Sequence, residues 1–337
     1  MRERRGPKDF PVINPDSEQC PFGPEYQVFW DMRYSLMSKF DRARVDATGL
    51  YTMVPEAFAL DMAQRAGGSR SLDICSGIGA MSIALARAGQ SVTAIEIDAS
   101  RVAMARHNAA LYGVADRIDF RLADITAEAT LRTLPKDIHT VVLDPPWGKG
   151  PGDYLRRRVT CLADLQLAGL DLRQLVGSID CREVMMRLPP NFDVGIFRHS
   201  TGEKLAYVTS VGYLHWYFIR MPREQFARVP DRSALPHDSP EARAGFVAVS
   251  AGGAHSLGLK TDGTVVAWGW NDMRTWTWPC SVLPGRDSSM RVRFVPRLSE
   301  SMWSRVSPRS LSRSLWPTPN PWWWAMAWPR SPMAAMR

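Results

Sequence analysis

A short stretch with two consecutive prolines, Asp144-Pro145-Pro146-Trp147-Gly148, carries the residue types best suited to chemistry in this chain. It follows residues 139–143, an apolar and β-branched run that predicts a buried strand ending at the motif. Consecutive prolines fix φ, remove two N–H groups and hold the backbone extended. The Asp144 carboxylate and the Pro145 carbonyl are therefore predicted to face a ligand as rigid acceptors with no donor beside them. Trp147 adds a flat ring for stacking.

Two acceptors beside a flat ring suit an amine on a planar base. The lone pair of such an amine is delocalised into the ring, and acceptors on its two N–H groups rehybridise the nitrogen and aim it at an electrophile. The motif therefore predicts transfer to a base amine, with Asp144, Pro145 and Trp147 as the catalytic residues. The alternative is a proline-rich turn closed by a core tryptophan.

The segments upstream predict the strands and turns that would position this motif. Residues 71–82 read as a strand that enters a glycine-bearing turn and then a helix over 81–88. Residues 90–95 predict a second strand, and 118–122 a third. An acidic residue ends or follows each strand, in the order Asp73, Glu96, Asp124 and Asp144. A doubly wound fold binds its ligand at these carboxyl ends, so the four carboxylates are expected to meet.

The same region restricts the ligand. A dinucleotide is disfavoured because Gly77-Ile78-Gly79 lacks the third glycine of the pyrophosphate fingerprint, and because Asp73 would place negative charge beside the phosphates. A ligand with cationic sulfonium and ammonium groups, S-adenosylmethionine, fits instead. The predicted cofactor-binding residues are Asp73, Cys75, Gly77, Gly79, Glu96, Ile97, Asp124 and Asp144, with Cys75 as a small packing residue in the turn.

Residues 26–218 resemble the RNA cap guanine-N2 methyltransferases, the trimethylguanosine synthase family. The matching stretches are residues 29–41, 50–56, 73–79, 94–98, 103–109, 111–120, 144–148 and 188–191. The resemblance implies methyl transfer from S-adenosylmethionine to N2 of a guanine already methylated at N7, with Asp124 at the adenine amine and no need for a metal or a covalent intermediate. It also implies a helical region over the base pocket, so Phe29, Trp30 and Phe40 are either pocket or core residues.

The chain departs from the family at the base site. The family usually has Ser where this chain has Asp144, so the motif also resembles that of rRNA guanine-N2 and nucleic-acid adenine-N6 methyltransferases, which are the enzymatic alternatives. Pro190 and Ala206 replace basic residues that the family uses, which predicts a weakened clamp on the cap phosphates. The residues that remain as predicted substrate contacts, besides Trp147, are Tyr154, Asn191 and Lys204; Asn191 is equally suited to capping a turn.

The positive charge of the chain lies in its C-terminal segment. The 337 residues carry a formal net charge of +8. Residues 273–337 contain ten Arg, no Lys, one Asp and one Glu, so the preceding residues are neutral overall. Affinity of the first 272 residues for RNA must therefore come from local patches such as residues 156–158, which are equally suited to being a solvated loop.

The cysteines and the apolar runs restrict the setting of the protein. The five cysteines form no C-x-x-C pair and no metal-like grouping with the six histidines, which predicts a reduced compartment and no metal site. No secretory signal and no membrane span is expected. The sequence therefore predicts a cytoplasmic monomer (nuclear in a eukaryote) that acts on RNA.

The predicted fold is a class I, Rossmann-like α/β methyltransferase with a seven-stranded, mostly parallel sheet and an N-terminal helical extension. The expected segments are an extended arm (1–24), the methyltransferase domain (25–222), a linker (223–244), one repeat (245–272) and an Arg/Trp/Ser/Pro tail (273–337).

The repeat and the tail leave alternatives open. Residues 246–271 resemble one repeat of the chromosome-condensation-regulator propellers, whose blades do not stand alone. The tail is predicted to be disordered or out of frame, or else to be an RNA-stacking arm. A non-enzymatic alternative is a vestigial methyltransferase whose repeat mediates protein contacts.

Overall fold

The structure is a computed structural model that describes residues 13–209, 214–232 and 234, and beyond them six short strands. Side chains are described for residues 13–207 except Tyr154, for 216–232 and for 234. Residues 1–12, the first half of the predicted arm over residues 1–24, lie outside the described residues, as does the tail after Phe294.

Seven strands form a mostly parallel sheet, as the sequence predicts. The strands are β1 Arg70–Ile74, β2 Ser91–Glu96, β3 Ile118–Leu122, β4 Ile138–Leu143, β5 Cys181–Leu188, β6 Glu203–Thr209 and β7 Leu214–Pro222. Their order is β3-β2-β1-β4-β5-β7-β6. Strands β1 to β5 are parallel, and β7 is antiparallel to both β5 and β6. Because β1 to β4 are parallel neighbours, their carboxyl ends share one edge of the sheet.

Helices cover both faces of this sheet. The α-helices are α1 Gln27–Asp31, α2 Arg33–Leu36, α3 Ala47–Thr52, α4 Glu56–Arg65, α5 Ala80–Arg87, α6 Ala99–Leu111, α7 Glu128–Arg132, α8 Asp153–Arg156, α9 Leu172–Gly177 and α10 Arg223–Phe226. Short 3-10 helices span Pro24–Tyr26, Phe40–Arg42, Ala115–Arg117, Leu162–Leu165 and Val194–Phe197.

Two buried clusters lie on the two faces, because successive side chains of a strand point to opposite sides. In β5, Met185 belongs to the first cluster, whereas Val184 and Met186 belong to the second. The first cluster holds residues of α4, α5 and α6 together with the N-terminal helices. The second holds residues of α9 and α10.

The N-terminal helices belong to the core of the domain. Trp30 is fully buried, and its ring packs edge-on against Phe40 with the centroids 5.5 Å apart. The indole Nε1 of Trp30 donates a hydrogen bond to the Ser17 carbonyl at 2.7 Å. Trp30 and Phe40 are therefore core residues. The segment before α1, predicted as an extended arm, packs here through Ile13, Cys20 and Phe22.

The domain continues past the predicted boundary at residue 222. Phe226 of α10 is fully buried in the second cluster, and Val229 is 5% exposed. Arg173 donates to the Val229 carbonyl at 2.8 Å and pairs with Asp231 at 2.7 Å. The packed unit therefore includes residues up to Asp231.

Further strands follow at the β6 edge. They are β8 Val247–Ala251, β9 His255–Leu259, β10 Val265–Gly269 and β11 Asp272–Trp278, with a separate hairpin β12 Cys280–Pro284 and β13 Met290–Phe294. β8 is parallel to β6, and β9 to β11 follow as antiparallel neighbours. Strands β8 to β10 match the predicted repeat. β12 and β13 fall within the predicted tail, and its out-of-frame origin stays a prediction.

Candidate active site

Four carboxylates converge at the carboxyl edge of β1 to β4. Burial raises the pKa of the Cys75 thiol well above its ordinary value, and Glu96, Asp144, Asp73 and Asp124 raise it further in that order. Such an effect requires all four carboxylates to lie within electrostatic range of one sulfur. The structure therefore brings together the acidic residues that the sequence places at successive strand ends.

Asp73 is the most deeply buried of these acids. It is 1% exposed, and the Ser82 hydroxyl donates to its Oδ2 at 2.5 Å. The pKa of Asp73 is raised to about 7, chiefly by burial and also by the charges of Asp144 and Glu96, while the Ser82 hydrogen bond opposes the rise. Sequence reasoning missed Ser82 as a site residue. Its signal is a hydroxyl on the buried face of an otherwise apolar helix.

The turn after β1 uses its glycines for two different purposes. Gly77 has φ +56°, and a Cβ built there meets no atom within 4 Å, so a ligand can approach its backbone. Gly79 has φ +90°, and a Cβ there would lie 3.1 Å from the Ala105 Cβ, so this glycine permits close helix packing. Cys75 is half-buried with φ +61° and packs against the second cluster.

The ends of β2 and β3 combine fixed carboxylates with exposed apolar side chains. Glu96 is 6% exposed and accepts from the N–H groups of Gly77 and Asp98, each at 2.9 Å. Asp124 accepts from the Thr126 backbone at 2.8 Å and its hydroxyl at 2.7 Å, and the hydrogen bonds from that residue lower its pKa.

Two aliphatic side chains stand beside these acids. Ile97 is 69% exposed and Leu122 is 56% exposed, although both are large and apolar. Leu122 pairs with Glu96 in the register of β2 and β3, and Ile97 follows Glu96 directly. Exposed apolar residues flanking convergent polar groups are typical of a small-molecule site. Sequence reasoning named Ile97 and missed Leu122.

The prediction that Asp144 has no donor beside it is wrong. Arg187 of β5 donates from Nε to Oδ1 of Asp144 at 3.0 Å, and its Nη2 lies 2.7 Å from Oδ2. The fork of the guanidinium therefore engages both carboxylate oxygens. The pKa of Asp144 is raised by burial, and the positive charge and hydrogen bond of Arg187 oppose that rise.

The same arginine contacts the tryptophan of the motif. Its Cζ lies 4.8 Å from the ring centroid of Trp147 and 5.6 Å from that of Trp216 on β7. Sequence reasoning gave Arg187 no role. The available signal is a lone charge in the apolar run Val184-Met185-Met186-Arg187-Leu188.

The remaining predicted substrate residues occupy different places. Asn191 follows β5, and its buried Oδ1 accepts no hydrogen bond from the described residues. Lys204 is 8% exposed, and burial lowers the pKa of its ammonium. Lys204 pairs with Ile219, a second-cluster residue, so it faces the side of the sheet opposite Arg187. The side chain of Tyr154 lies outside the described residues, and a substrate role for all three stays a prediction.

The loop after Trp147 carries exposed positive charge. Asp153 accepts from the Lys149 backbone at 2.9 Å and pairs with Arg156 at 3.0 Å, whose side chain is 77% exposed. The two following arginines are exposed as well. This basic segment follows the motif directly in sequence.

Among the described residues, no three His, Cys, Asp or Glu side chains are grouped as metal ligands. The described helices include none that is long and apolar enough to cross a membrane.

Comparison with known proteins agrees with this geometry. A sequence model of the RNA cap guanine-N2 methyltransferases matches residues 68–212, and one of the chromosome-condensation-regulator repeat matches residues 246–273. Trimethylguanosine synthase of Schizosaccharomyces pombe is 32% identical over 183 residues, which cover 52% of this chain and 75% of that protein. The chain belongs to the RNA cap guanine-N2 methyltransferase family. It is an S-adenosylmethionine-dependent methyltransferase.

Two further matches are an rRNA methyltransferase and a solved structure. The 23S rRNA (uracil(1939)-C(5))-methyltransferase RlmD of Acidithiobacillus ferrooxidans is 35% identical over 117 residues, which are 34% of this chain and 26% of that protein. The crystal structure of an RNA methyltransferase from Salinibacter ruber in complex with S-adenosyl-L-homocysteine covers 55% of this chain and 95% of that chain, with 21% identity and a TM-score of 0.31.

Proposed function

We propose that this family member methylates the exocyclic N2 of guanine in RNA, most like a 7-methylguanosine cap methyltransferase. The observation that carries the proposal is the motif Asp144 to Trp147, which follows β4 beside the carboxylates of β1 and β2. Asp144 and the Pro145 carbonyl accept the amine N–H groups, and Trp147 stacks on the base. The proposed setting is a monomer acting on RNA in the cytoplasm, or in the nucleus of a eukaryote.

The residues around the β1 turn fit the cofactor. When bound, S-adenosylmethionine supplies its methyl group as an already activated electrophile. The carboxylate of Asp73 suits its cationic end, Glu96 the ribose hydroxyls, and Ile97 with Asp124 the adenine. Since the electrophile needs no further activation, the protein contributes position and electrostatics. The proton released by the product amine passes to water or to an oxygen of Asp144.

A second candidate is methylation of guanine N2 or adenine N6 within rRNA or DNA. Asp144 in place of the family serine favours it. The burial of Lys204 on the opposite sheet face also favours it, because a cap-phosphate clamp needs accessible cations.

One experiment separates these candidates. The protein is incubated with labelled S-adenosylmethionine and, in parallel, 7-methylguanosine-capped RNA, total rRNA and tRNA, or DNA. The nucleic acid is then digested to nucleosides and analysed by mass spectrometry. Label in an N2-methylated cap nucleoside supports the cap guanine, label in N2-methylguanosine from rRNA alone supports the second candidate, and label in N6-methyladenosine alone contradicts guanine-N2 transfer.

If the substrate is a cap, Trp147 should discriminate in favour of an N7-methylated base. Such a guanine is cationic, and stacking on an indole gains a cation–π contribution of about 1–2 kcal/mol that plain guanine lacks. We expect 7-methylguanosine diphosphate to react roughly five- to thirtyfold faster than guanosine diphosphate in kcat/KM. Trp147→Ala should remove this preference, and Trp147→Phe should keep part of it.

A matched control for these variants is Trp216→Phe. Trp216 also contacts Arg187, but it is 8% exposed and packs against Phe58 and Tyr207, so the preference should survive its replacement. Equal kcat/KM for the two nucleotides in the wild-type protein would count against the cap and favour an internal guanine.

The region beyond the packed domain should be dispensable for activity. A chain ending at Arg232 retains Phe226, Val229 and the Arg173–Asp231 pair together with every predicted site residue. We expect its kcat and KM on RNA to equal those of the full chain, with better solubility since eight of the thirteen tryptophans are removed with residues 273–337.

Loss of methylation in a folded truncated chain, judged by circular dichroism and cofactor affinity, would instead assign the C-terminal region to substrate binding.

A further inference from the structure

Arg187 is a buried cation whose fork is turned toward the motif. It lies in β5, one residue before the end of the strand, and its side chain is 9% exposed. In the register of the sheet it pairs with Phe218, a residue of the first cluster. The Nε of Arg187 donates a hydrogen bond to Oδ1 of Asp144 at 3.0 Å, and its Nη2 forms an ion pair with Oδ2 at 2.7 Å. Contacts to both oxygens restrict the plane of the carboxylate as well as its position.

The guanidinium also joins the motif to the N-terminal extension. Nη2 donates to the Thr52 carbonyl at the end of α3 at 2.6 Å. Its Cζ lies 4.8 Å from the centroid of Trp147, so the acceptor and the stacking ring of the motif share one neighbour. The helical extension, the sheet and the motif therefore meet at this side chain.

We propose that Arg187 is a positioning residue for methyl transfer: it fixes Asp144 and Trp147 relative to each other and keeps Asp144 ionised as an acceptor. The assignment of the acceptor rests on the proposed function, whereas the ionisation of Asp144 does not. Arg187 acts through these two residues. The pair of Arg187 and Asp144 departs from the family pattern, because the family usually has Ser where this chain has Asp144.

The surroundings of Asp144 explain why a cation is needed. Asp144 directly follows the carboxyl end of β4. Asp73 of β1 and Cys75 of the turn after β1 lie within electrostatic range of it, and Arg187 faces it from β5. Burial and a neighbouring carboxylate both favour the protonated acid. A protonated Asp144 would present an O–H donor where the amine needs an acceptor. A serine at this position would need no counter-ion.

The test compares four variants with the wild-type protein: Arg187→Met, Arg187→Lys, Asp144→Ser and the double variant with Asp144→Ser and Arg187→Met. Methionine has a similar length without charge, and lysine keeps the charge without the planar fork. Transfer to RNA is measured as kcat and KM from pH 5.5 to 9. The free energy of unfolding is measured over the same range by urea denaturation.

We expect Arg187→Met to lower kcat by about 100-fold at neutral pH, with KM changed far less. The rising limb of its pH–rate profile should move up by about one pH unit or more, because Asp144 then titrates at higher pH. Arg187→Lys should keep the wild-type limb with an intermediate kcat. In the Asp144→Ser background, Arg187→Met should lower kcat by much less, since Asp144, one of the two residues through which it acts, is gone and only the contact with Trp147 is lost.

Unfolding gives an answer that needs no substrate. Burial already holds the native pKa of Asp144 above its unfolded value, and removing Arg187 raises that pKa further. The native state then binds more protons over a wider pH range, so stability falls as pH rises. The fall should be steeper in Arg187→Met than in the wild type, and the double variant should lack the extra slope. If Arg187→Met does not fold, Arg187→Gln takes its place in both measurements, because glutamine also removes the positive charge but keeps an N–H donor.

Two results would overturn the inference. One is an Arg187→Met variant that is less stable but keeps the wild-type pH limb and the wild-type pH slope of unfolding, which is a purely structural role. The other is an equal loss of kcat in the wild-type and Asp144→Ser backgrounds. A wild-type protein that methylates no guanine refutes the proposed function instead, and the unfolding data still decide the ionisation of Asp144.

Discussion

Replacement of Asp144 by Asn is expected to lower the rate of methyl transfer to RNA by about 100- to 1,000-fold. Asparagine keeps the size of the side chain but removes the charge and turns one acceptor into an N–H₂ donor. That donor would face either Arg187 or the amine of the base, and it is wrong for both. Because Asp144 is proposed to act on the base, the dissociation constant of S-adenosylmethionine should stay within about threefold of the wild-type value.

Single-turnover transfer of labelled methyl measures the rate, and calorimetry measures cofactor affinity on the same preparations. Asp116→Asn is the matched control, since Asp116 is an exposed carboxylate in the 3-10 helix before β3, at the opposite edge of the sheet. Its rate should equal that of the wild type. If Asp144→Asn instead weakens cofactor binding by the same factor as it slows transfer, Asp144 serves the cofactor and the base needs another acceptor.

The cofactor half of this site follows from local sequence patterns. Each acid of the set Asp73, Glu96, Asp124 and Asp144 lies at or just after the end of a strand that its own neighbours predict, and parallel pairing then brings these ends together. The mostly parallel, seven-stranded sheet follows from the family resemblance and the pattern of apolar runs. These features depend on short stretches of chain, which is why they are readable without coordinates.

The base half depends on contacts between distant segments. Arg187 is 43 residues from Asp144 in sequence, and nothing local in either stretch indicates that they pair. The contact with Thr52 spans 135 residues. For the same reason the sequence could not tell which face of β6 carries Lys204, because a shift of one residue in the strand register reverses every side chain. Trp30 and Phe40 lie in the core, and their helical spacing alone would fit either a pocket or a core.

The affinity for S-adenosylmethionine is expected to rise with pH until about pH 7. Burial raises the pKa of Asp73 to about 7, so below that pH the side chain is mostly protonated. A cationic ligand favours the ionised form, and binding must then release a proton. The dissociation constant should therefore increase about tenfold for each pH unit below 7, or about a hundredfold between pH 7 and pH 5.

The same shift fixes the sign of the stability change in the free protein. The native pKa of Asp73 lies above its unfolded value, so the native state holds a proton that the unfolded chain has lost. This contribution to the free energy of unfolding is complete below about pH 4 and is lost as pH rises to about 7. Saturation with S-adenosylmethionine should offset the loss, because the ligand supplies the positive charge that the buried carboxylate lacks.

Calorimetry at pH 6 in buffers of different ionisation enthalpy measures the proton directly, and close to one proton per bound ligand is expected, falling toward zero at pH 8. Asp73→Asn should flatten the pH dependence and weaken binding at pH 8 by about 1–3 kcal/mol, the cost of a lost charged hydrogen bond, and Glu96→Ala should weaken it by about the same amount. Asp137→Asn is the control, because Asp137 is an exposed acid that pairs with Arg70 at the opposite edge of the sheet.

Binding without proton release at pH 6 would mean that Asp73 is already ionised in the free protein. A neighbouring positive charge would then have to keep Asp73 ionised. Arg187 is the first residue to replace in testing this, since it contacts Asp144 and Asp144 lies within electrostatic range of Asp73.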